Sequence, residues 1–203
     1  MTARLVTSTT PFEWVDGNDR VTWTVEPPGV VSVDRQGRAT PVSIGIAIVV
    51  ATLGDQRGTN RVRVLPDYAG TWSGTYRITG CSGHYDFRTC GRMMFNQLDG
   101  SQNGYPFTLV LAQFRDQVTG TLDERNRSIP LAGIVRESGV LVLEATVAQP
   151  DLDPLRITNW ASTTNAGNTL LSGAFTKFEP GRIGTTPYTV RTENEFGSVP
   201  RAQ

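Results

Sequence analysis

"DYAGTWSGTYRITGCSGHYDFRTCG", Asp67–Gly91, gathers a tryptophan-bearing strand, both cysteines and the only histidine of the 203-residue chain into one stretch. Gly70–Thr79 reads as a strand, rich in the β-branched and aromatic residues that suit a pleated surface. The cysteine-bearing segment after it admits three readings. A metal centre would use Cys81, His84 and Cys90 with Asp86. A nucleophilic site would use one cysteine with His84 as its base. A stapled hairpin would join Cys81 to Cys90.

Structural zinc sites combine a close pair of ligands with a second pair elsewhere, and no further Cys or His exists in the chain to supply it. A base three residues from a nucleophile on a glycine-bearing loop lacks the third group that orients a catalytic pair. The disulfide needs only what is present. Closing a loop this short stabilises a fold by about 2–3 kcal/mol in the chain-entropy model. The expectation is a Cys81–Cys90 bridge formed in an oxidising compartment, His84 as an exposed loop residue, no metal site and no catalytic residue.

Outward from that hairpin, period-two alternation recurs between clusters of Gly, Asn and Asp, and no uninterrupted helical period competes with it. Strands are expected at Arg92–Leu98, Tyr105–Phe114, Gln117–Asp123, Ile129–Arg136, Val140–Val147, Leu155–Ser162, Thr169–Phe178 and Tyr188–Glu193. The turns are "LDGSQNG" (Leu98–Gly104), "DERNRS" (Asp123–Ser128), "ESG" (Glu137–Gly139), "TTNAGN" (Thr163–Asn168) and "EPGRIG" (Glu179–Gly184). Consecutive hairpins without a crossover-length helix imply an antiparallel up-and-down sheet. A sheet of that many twisted strands closes into a barrel, which removes its unpaired edges. Gly120, Gly133 and Gly173 fall mid-strand, where glycine is tolerated for a sharp bend or a close backbone approach; they read as barrel corners.

Before Pro66 the strands are shorter: Val21–Val25, Val30–Val33, Ile44–Thr52 and Thr59–Leu65, with "DRQG" (Asp34–Gly37) as a turn and "LGDQRG" (Leu53–Gly58) closing a hairpin. That spacing indicates a small sandwich. The division expected is residues 1–66, residues 67–196, and a flexible tail over residues 197–203.

Two family resemblances attach to these residues. Trp23, Val33, Gly37, Gly45, Ala47, Ile48 and Ala51 fall in the order of a tryptophan strand, a "V-x-x-x-G" turn and a "G-x-A-x-I-x-A" strand. Over Thr2–Leu65 the chain so resembles the bacterial Ig-like domain of group 2. The family's first strand has no counterpart ahead of "ARLVTST" (Ala3–Thr9). The resemblance implies a spacer or adhesion module of bacterial surfaces and exported proteins, without catalytic residues. "AGTWSGTY" (Ala69–Tyr76) resembles the "G-x-W" opening strand of lipocalins and avidin-like barrels, whose tryptophan plugs the closed end. The rhythm of "VTGTL", "LAGIV" and "LSGAF" is similar to avidin-type strands. The several tryptophans of an avidin biotin site are not matched, since after Trp72 only Trp160 remains.

Lys+Arg and Asp+Glu each total 19, so no basic field exists to hold a phosphate backbone, which argues against a nucleic-acid partner. The longest apolar run, "IGIAIVVATL" (Ile44–Leu53), is strand length, far below the ~20 residues of a transmembrane helix. "MTARLVTSTTPFEW" carries no apolar leader. The expectation is an exported protein, periplasmic, surface-bound or secreted, whose export signal lies outside these residues.

Carboxylates occur as neighbours at Asp123 and Glu124, Asp151 and Asp153, and Glu193 and Glu195. They read as solvated loop charges, or as the two carboxyls of a hydrolase at a barrel mouth. Most barrel aromatics read as core plugs. If the interior is partly open, Tyr76, Arg77, Asn159 and Trp160 would line a ligand cup. No cofactor motif is present. The functional expectation is a non-catalytic, exported bacterial protein in which an Ig-like spacer carries a barrel that recognises a small hydrophobic ligand or a cell-envelope component. The rivals are an envelope-acting hydrolase and a self-associating structural surface protein.

Overall fold

The computed structural model describes residues 20–83, 90, 104–125 and 127–202, and the backbone of residues 4–6 and 14–16. The expected strand Arg92–Leu98, His84, Asp86 and the "LDGSQNG" turn up to Asn103 lie outside the described residues. The protein is all-β, and the chain divides into two compact units, residues 1–65 and residues 66–203. No helix among the described residues is long and apolar enough to cross a membrane.

In the first unit, β1 (Arg4–Val6) pairs with β2 (Trp14–Asp16), and β3 (Thr22–Glu26), β6 (Gly45–Leu53) and β7 (Gln56–Val64) form an antiparallel sheet in the order β3-β6-β7. A second small sheet pairs β4 (Val31–Val33) with β5 (Ala39–Pro41). Val30, Val31 and Ala47 are buried with Val25, Val33, Val62 and Val64 packed around them, a core of β-branched side chains between the two sheets. The "DRQG" turn is held as its residue types predict. The Asp34 carboxylate accepts the backbone N–H groups of Gln36 and Arg38, and Gly37 takes a φ of 77°. β5 was not expected, because all three of its residues are exposed and carry no alternation. β7 begins at Gln56 rather than Thr59, since Gly54 at φ 53° reverses the chain in two residues and pairs Leu53 with Gln56.

The second unit is a closed eight-stranded antiparallel barrel in the order β10-β11-β12-β13-β14-β15-β8-β9. Its strands are β8 (Gly70–Gly83), β9 (Tyr105–Phe114), β10 (Gln117–Glu124), β11 (Arg127–Val135), β12 (Leu141–Gln149), β13 (Leu152–Thr164), β14 (Leu170–Ile183) and β15 (Thr186–Pro200). The "EPGRIG" stretch is strand rather than turn. Pro180 pairs with Thr189, Gly181 lies beside the Tyr188 ring, and the chain reverses only at Gly184, with φ 61°. Residues 197–202 are likewise no tail. β15 continues to Pro200, Val199 is buried, and Arg201 bridges Trp72, because β15 is the stave that closes the barrel against β8.

The mid-strand glycines are sites of close approach. A Cβ at Gly133 would fall on the Val142 carbonyl oxygen, and one at Gly120 on that of Val110. Neither neighbour is a flexible side chain that could move aside. Gly133→Ala is expected to lower stability by about 1–3 kcal/mol, the cost of forcing backbone apart in a packed sheet. Urea denaturation checks this, and an unchanged midpoint would refute the close-approach reading.

One end of the barrel is sealed by the opening strand. Trp72 and Tyr68 are fully buried, the Trp72 indole donates to the Tyr68 carbonyl at 2.9 Å, and the Tyr68 hydroxyl donates to the Gly139 carbonyl at 2.6 Å. Burial pushes the Tyr68 phenol up to about 12, so it remains a donor at any physiological pH. Arg201 lies over the Trp72 ring at 5.5 Å, donates to the Ala69 carbonyl and pairs with Asp67 at 3.0 Å.

Cys81 and Cys90 are joined by a disulfide with a Cα–Cα separation of 5.6 Å. Both sulfurs are thereby committed, so neither a thiolate metal ligand nor a cysteine nucleophile is available. Replacing both cysteines by alanine should remove about 2–3 kcal/mol through loss of the short closed loop. Thermal unfolding of the double variant beside the oxidised wild type measures it, and equal midpoints would show that the loop is held by other contacts.

Candidate functional site

The barrel interior is built from alternate residues of each strand, and its middle is filled by stacked rings. Trp160 stacks on Phe175 with centroids 4.8 Å apart and packs on Phe196 at 5.4 Å; Tyr76 stacks on Tyr105 at 5.4 Å and meets Phe175 edge-on at 5.3 Å. Trp160 reaches the interior through a bulge. Leu155 and Ile157 point inward, the β13–β14 register shifts between Thr158 and Ala161, and Asn159 takes a φ of 53°, which turns Trp160 and Ser162 inward in its stead.

The four residues expected to line a cup therefore separate. Tyr76 and Trp160 are core side chains in contact with other rings, whereas Arg77 and Asn159 are exposed on the outer face. Arg77 borders a shallow outer groove of about 840 Å³ with Thr75, Thr79 and Glu195, over a floor that includes Ala161 and Gly173. Asn159 bonds Thr176 Oγ1 at 3.4 Å. The structure brings no two of these four together in a common cavity among the described residues.

At the end of the barrel opposite Trp72, the interior changes from hydrocarbon to charge. Glu124, at the end of β10, and Lys177, on β14, are 3% and 6% exposed and meet across the lumen, since their strands are not neighbours in the sheet. Lys177 Nζ donates to Glu124 Oε1 at 2.8 Å and lies 3.2 Å from Glu179 Oε2. Arg127 Nη2 donates to the same Glu124 oxygen at 2.7 Å and to Glu179 Oε1 at 3.1 Å. Two carboxylates and two cations thus alternate in a closed ring. The Tyr76 hydroxyl completes it by donating to Glu124 Oε2 at 2.8 Å.

The ring explains the protonation states. Burial alone would raise the Glu124 carboxyl, but the charge and hydrogen bond of Lys177, with hydrogen bonds from Arg127 and Tyr76, hold it below the ordinary carboxylate value. Glu179 is treated the same way: burial would raise it, and the charges of Lys177 and Arg127 hold it below the ordinary carboxylate value. The Tyr76 phenol is driven strongly upward by burial and by the adjacent Glu124 carboxylate. Both carboxylates are therefore ionised and the phenol protonated at neutral pH. Neither carboxyl can act as the proton-donating acid that glycoside cleavage requires.

The expectation that Glu124 is a solvated loop charge is overturned. β10 extends through it, and its phase with Val118 and Leu122 turns it inward. Asp123, next to it, faces away and is bonded by Thr121 Oγ1 at 3.5 Å. Asp153 accepts from Thr189 Oγ1 at 2.7 Å, and Asp151 occupies the β12–β13 turn with φ 55°. None of these aspartates joins the ring. Lys177, Arg127 and Glu179 were not singled out from sequence; their signal is the same phase, since Lys177 and Glu179 come after Phe175 at steps of two.

Residues of the ring and of the Tyr76–Tyr105 stack line a small cavity of about 10 Å³, together with Ile78, Thr192, Asn194 and Arg125. That is about the room one water needs. Comparison of the chain with protein-family models, with curated proteins and with solved structures found no match.

Proposed function

We propose that the chain is a non-catalytic recognition protein of an exported bacterial kind, in which a group 2 Ig-like unit acts as spacer and the barrel recognises a small molecule or an envelope component at its charged end. The observation that carries the reading is the ring of Glu124, Lys177, Glu179 and Arg127. A buried ion network is a weak source of stability compared with well-packed hydrocarbon, so its placement at one end of a barrel whose middle is filled by stacked rings supports a role for that end beyond packing. The Cys81–Cys90 bridge supports an oxidising destination. The valine core between two small sheets, with Trp23 on β3 and Gly45 opening β6, supports the Ig-like assignment.

The reading differs from a hydrolase in a measurable way. Native mass spectrometry of the oxidised protein, after exposure to a bacterial envelope extract, should show a retained added mass. A glycoside panel assayed on the same material should show no turnover. A spectrum that stays that of the bare chain overturns recognition, and turnover on any glycoside overturns the non-catalytic assignment.

A further inference from the structure

One polar group at the charged end is left over. Asn194 is 1% exposed, and its Nδ2 donates to the Thr192 carbonyl at 3.2 Å, to Thr192 Oγ1 at 3.1 Å and to the Phe175 carbonyl at 3.3 Å. Those acceptors fix the amide, because the reversed orientation would set Oδ1 against two carbonyl oxygens. Oδ1 is consequently turned from the backbone, and it has no partner among the described residues. Buried carbonyl oxygens almost always receive a donor, and none of the described residues supplies one here.

The cavity that Asn194 lines has the volume of one water while Arg125 stands over the Tyr105 ring at 5.1 Å. Arg125 is exposed, sits on the β10–β11 turn with φ 53°, and has no carboxylate partner among the described residues. Lys177 and Arg127, by contrast, are paired with Glu124 and Glu179. Among the described residues the mouth thus offers a buried acceptor, two tyrosine rings and, in Arg125, a positive charge without a carboxylate partner.

We propose that this mouth is a binding site for a small organic anion that also carries a hydroxyl or amine. The ligand's hydroxyl or amine donates to Asn194 Oδ1. The anionic group draws Arg125 from the Tyr105 face into a charge-assisted pair, which opens the cavity to more than a water. The assignment rests on the recognition reading and deepens it by naming the ligand class.

The test is an NMR titration of the full oxidised chain with four probes: L-lactate, glycerol 3-phosphate, acetate, which lacks the hydroxyl, and 1,2-propanediol, which lacks the charge. Lactate or glycerol 3-phosphate, according to whether carboxylate or phosphate fits better, should shift the Asn194 side-chain amide and the Arg125 Nε resonances. That probe should bind at least tenfold more tightly than acetate or propanediol. Arg125→Gln, an exposed turn substitution that leaves the fold intact, should weaken it tenfold or more. Equal binding of acetate, no shift with either hydroxylated anion, or undiminished binding by Arg125→Gln overturns the assignment. In the last case a retained envelope ligand would still leave the recognition reading standing, which separates the two failures.

Discussion

Lys177→Met lowers the stability of the barrel by about 3–5 kcal/mol at neutral pH, the cost of removing one member of a buried ion network and leaving its partners uncompensated. Methionine fills much the same volume, so the loss reports charge rather than a void. Glu124, 2% exposed at its side chain, keeps Arg127 and Tyr76 as its hydrogen-bond partners among the described residues. Against a total stability of about 5–15 kcal/mol for an ordinary domain, such a loss is large enough to populate the unfolded chain on mild heating. Guanidinium denaturation of the two proteins measures it.

The pH dependence adds a signature that packing damage would not produce. Glu124 and Glu179 titrate below the ordinary carboxylate value of 4.5 in the folded wild type. Their contribution is complete above 4.5 and is lost as pH falls through the lower folded values, so acid destabilises the wild type. In Lys177→Met the same protonation discharges the carboxylate left uncompensated. The gap between the proteins should therefore be widest near pH 7 and narrow as pH drops toward 4. A gap constant across that range would mean that the ring contributes no net electrostatic stability.

Trp72→Ala has a comparable expected effect at the opposite end, about 3–5 kcal/mol for truncating a fully buried aromatic. Three contacts go together. The cavity left behind is walled by Leu109 and other strand residues that cannot collapse into it without breaking their own pairing. The Tyr68 carbonyl loses its indole donor, and Arg201 loses the ring it covers. Trp72→Phe should recover most of the packing while leaving that carbonyl unpartnered, at a cost of about 1–3 kcal/mol. Calorimetry on the pair ranks the two terms, and a midpoint within a degree of wild type for Trp72→Ala would show that this end is not sealed by the indole.

The barrel was legible in the sequence because its cues are local. Alternation and turn residues act over two to five positions, and they located nearly every described stave. The disulfide was legible for the same reason: two cysteines close in sequence, with no competing partner. The charged ring was not. Glu124 is the second residue of the polar run "DERNRS", which has the composition of a loop, and the hairpin turn proves shorter than the run. Lys177 and Glu179 lie on a strand four places away around the barrel, so their meeting with Glu124 depends on closure, a property of the whole sheet. Asn159 shows the complementary failure. Strict period two would send Asn159 inward and Trp160 outward, and a single left-handed residue reverses both.

The pairing of β15 with β8 also orders events in time. These two staves are separated by the whole of the intervening meander, and neither has its second neighbour until both have emerged from the ribosome. A growing chain therefore carries an open, curled sheet with two raw edges, and the seam is sewn last. Long-range closure of this kind is slow and leaves strand edges exposed in the interval. A chain that must remain unclosed until late is also one that a translocation machine or a chaperone can hold extended without first undoing a finished fold.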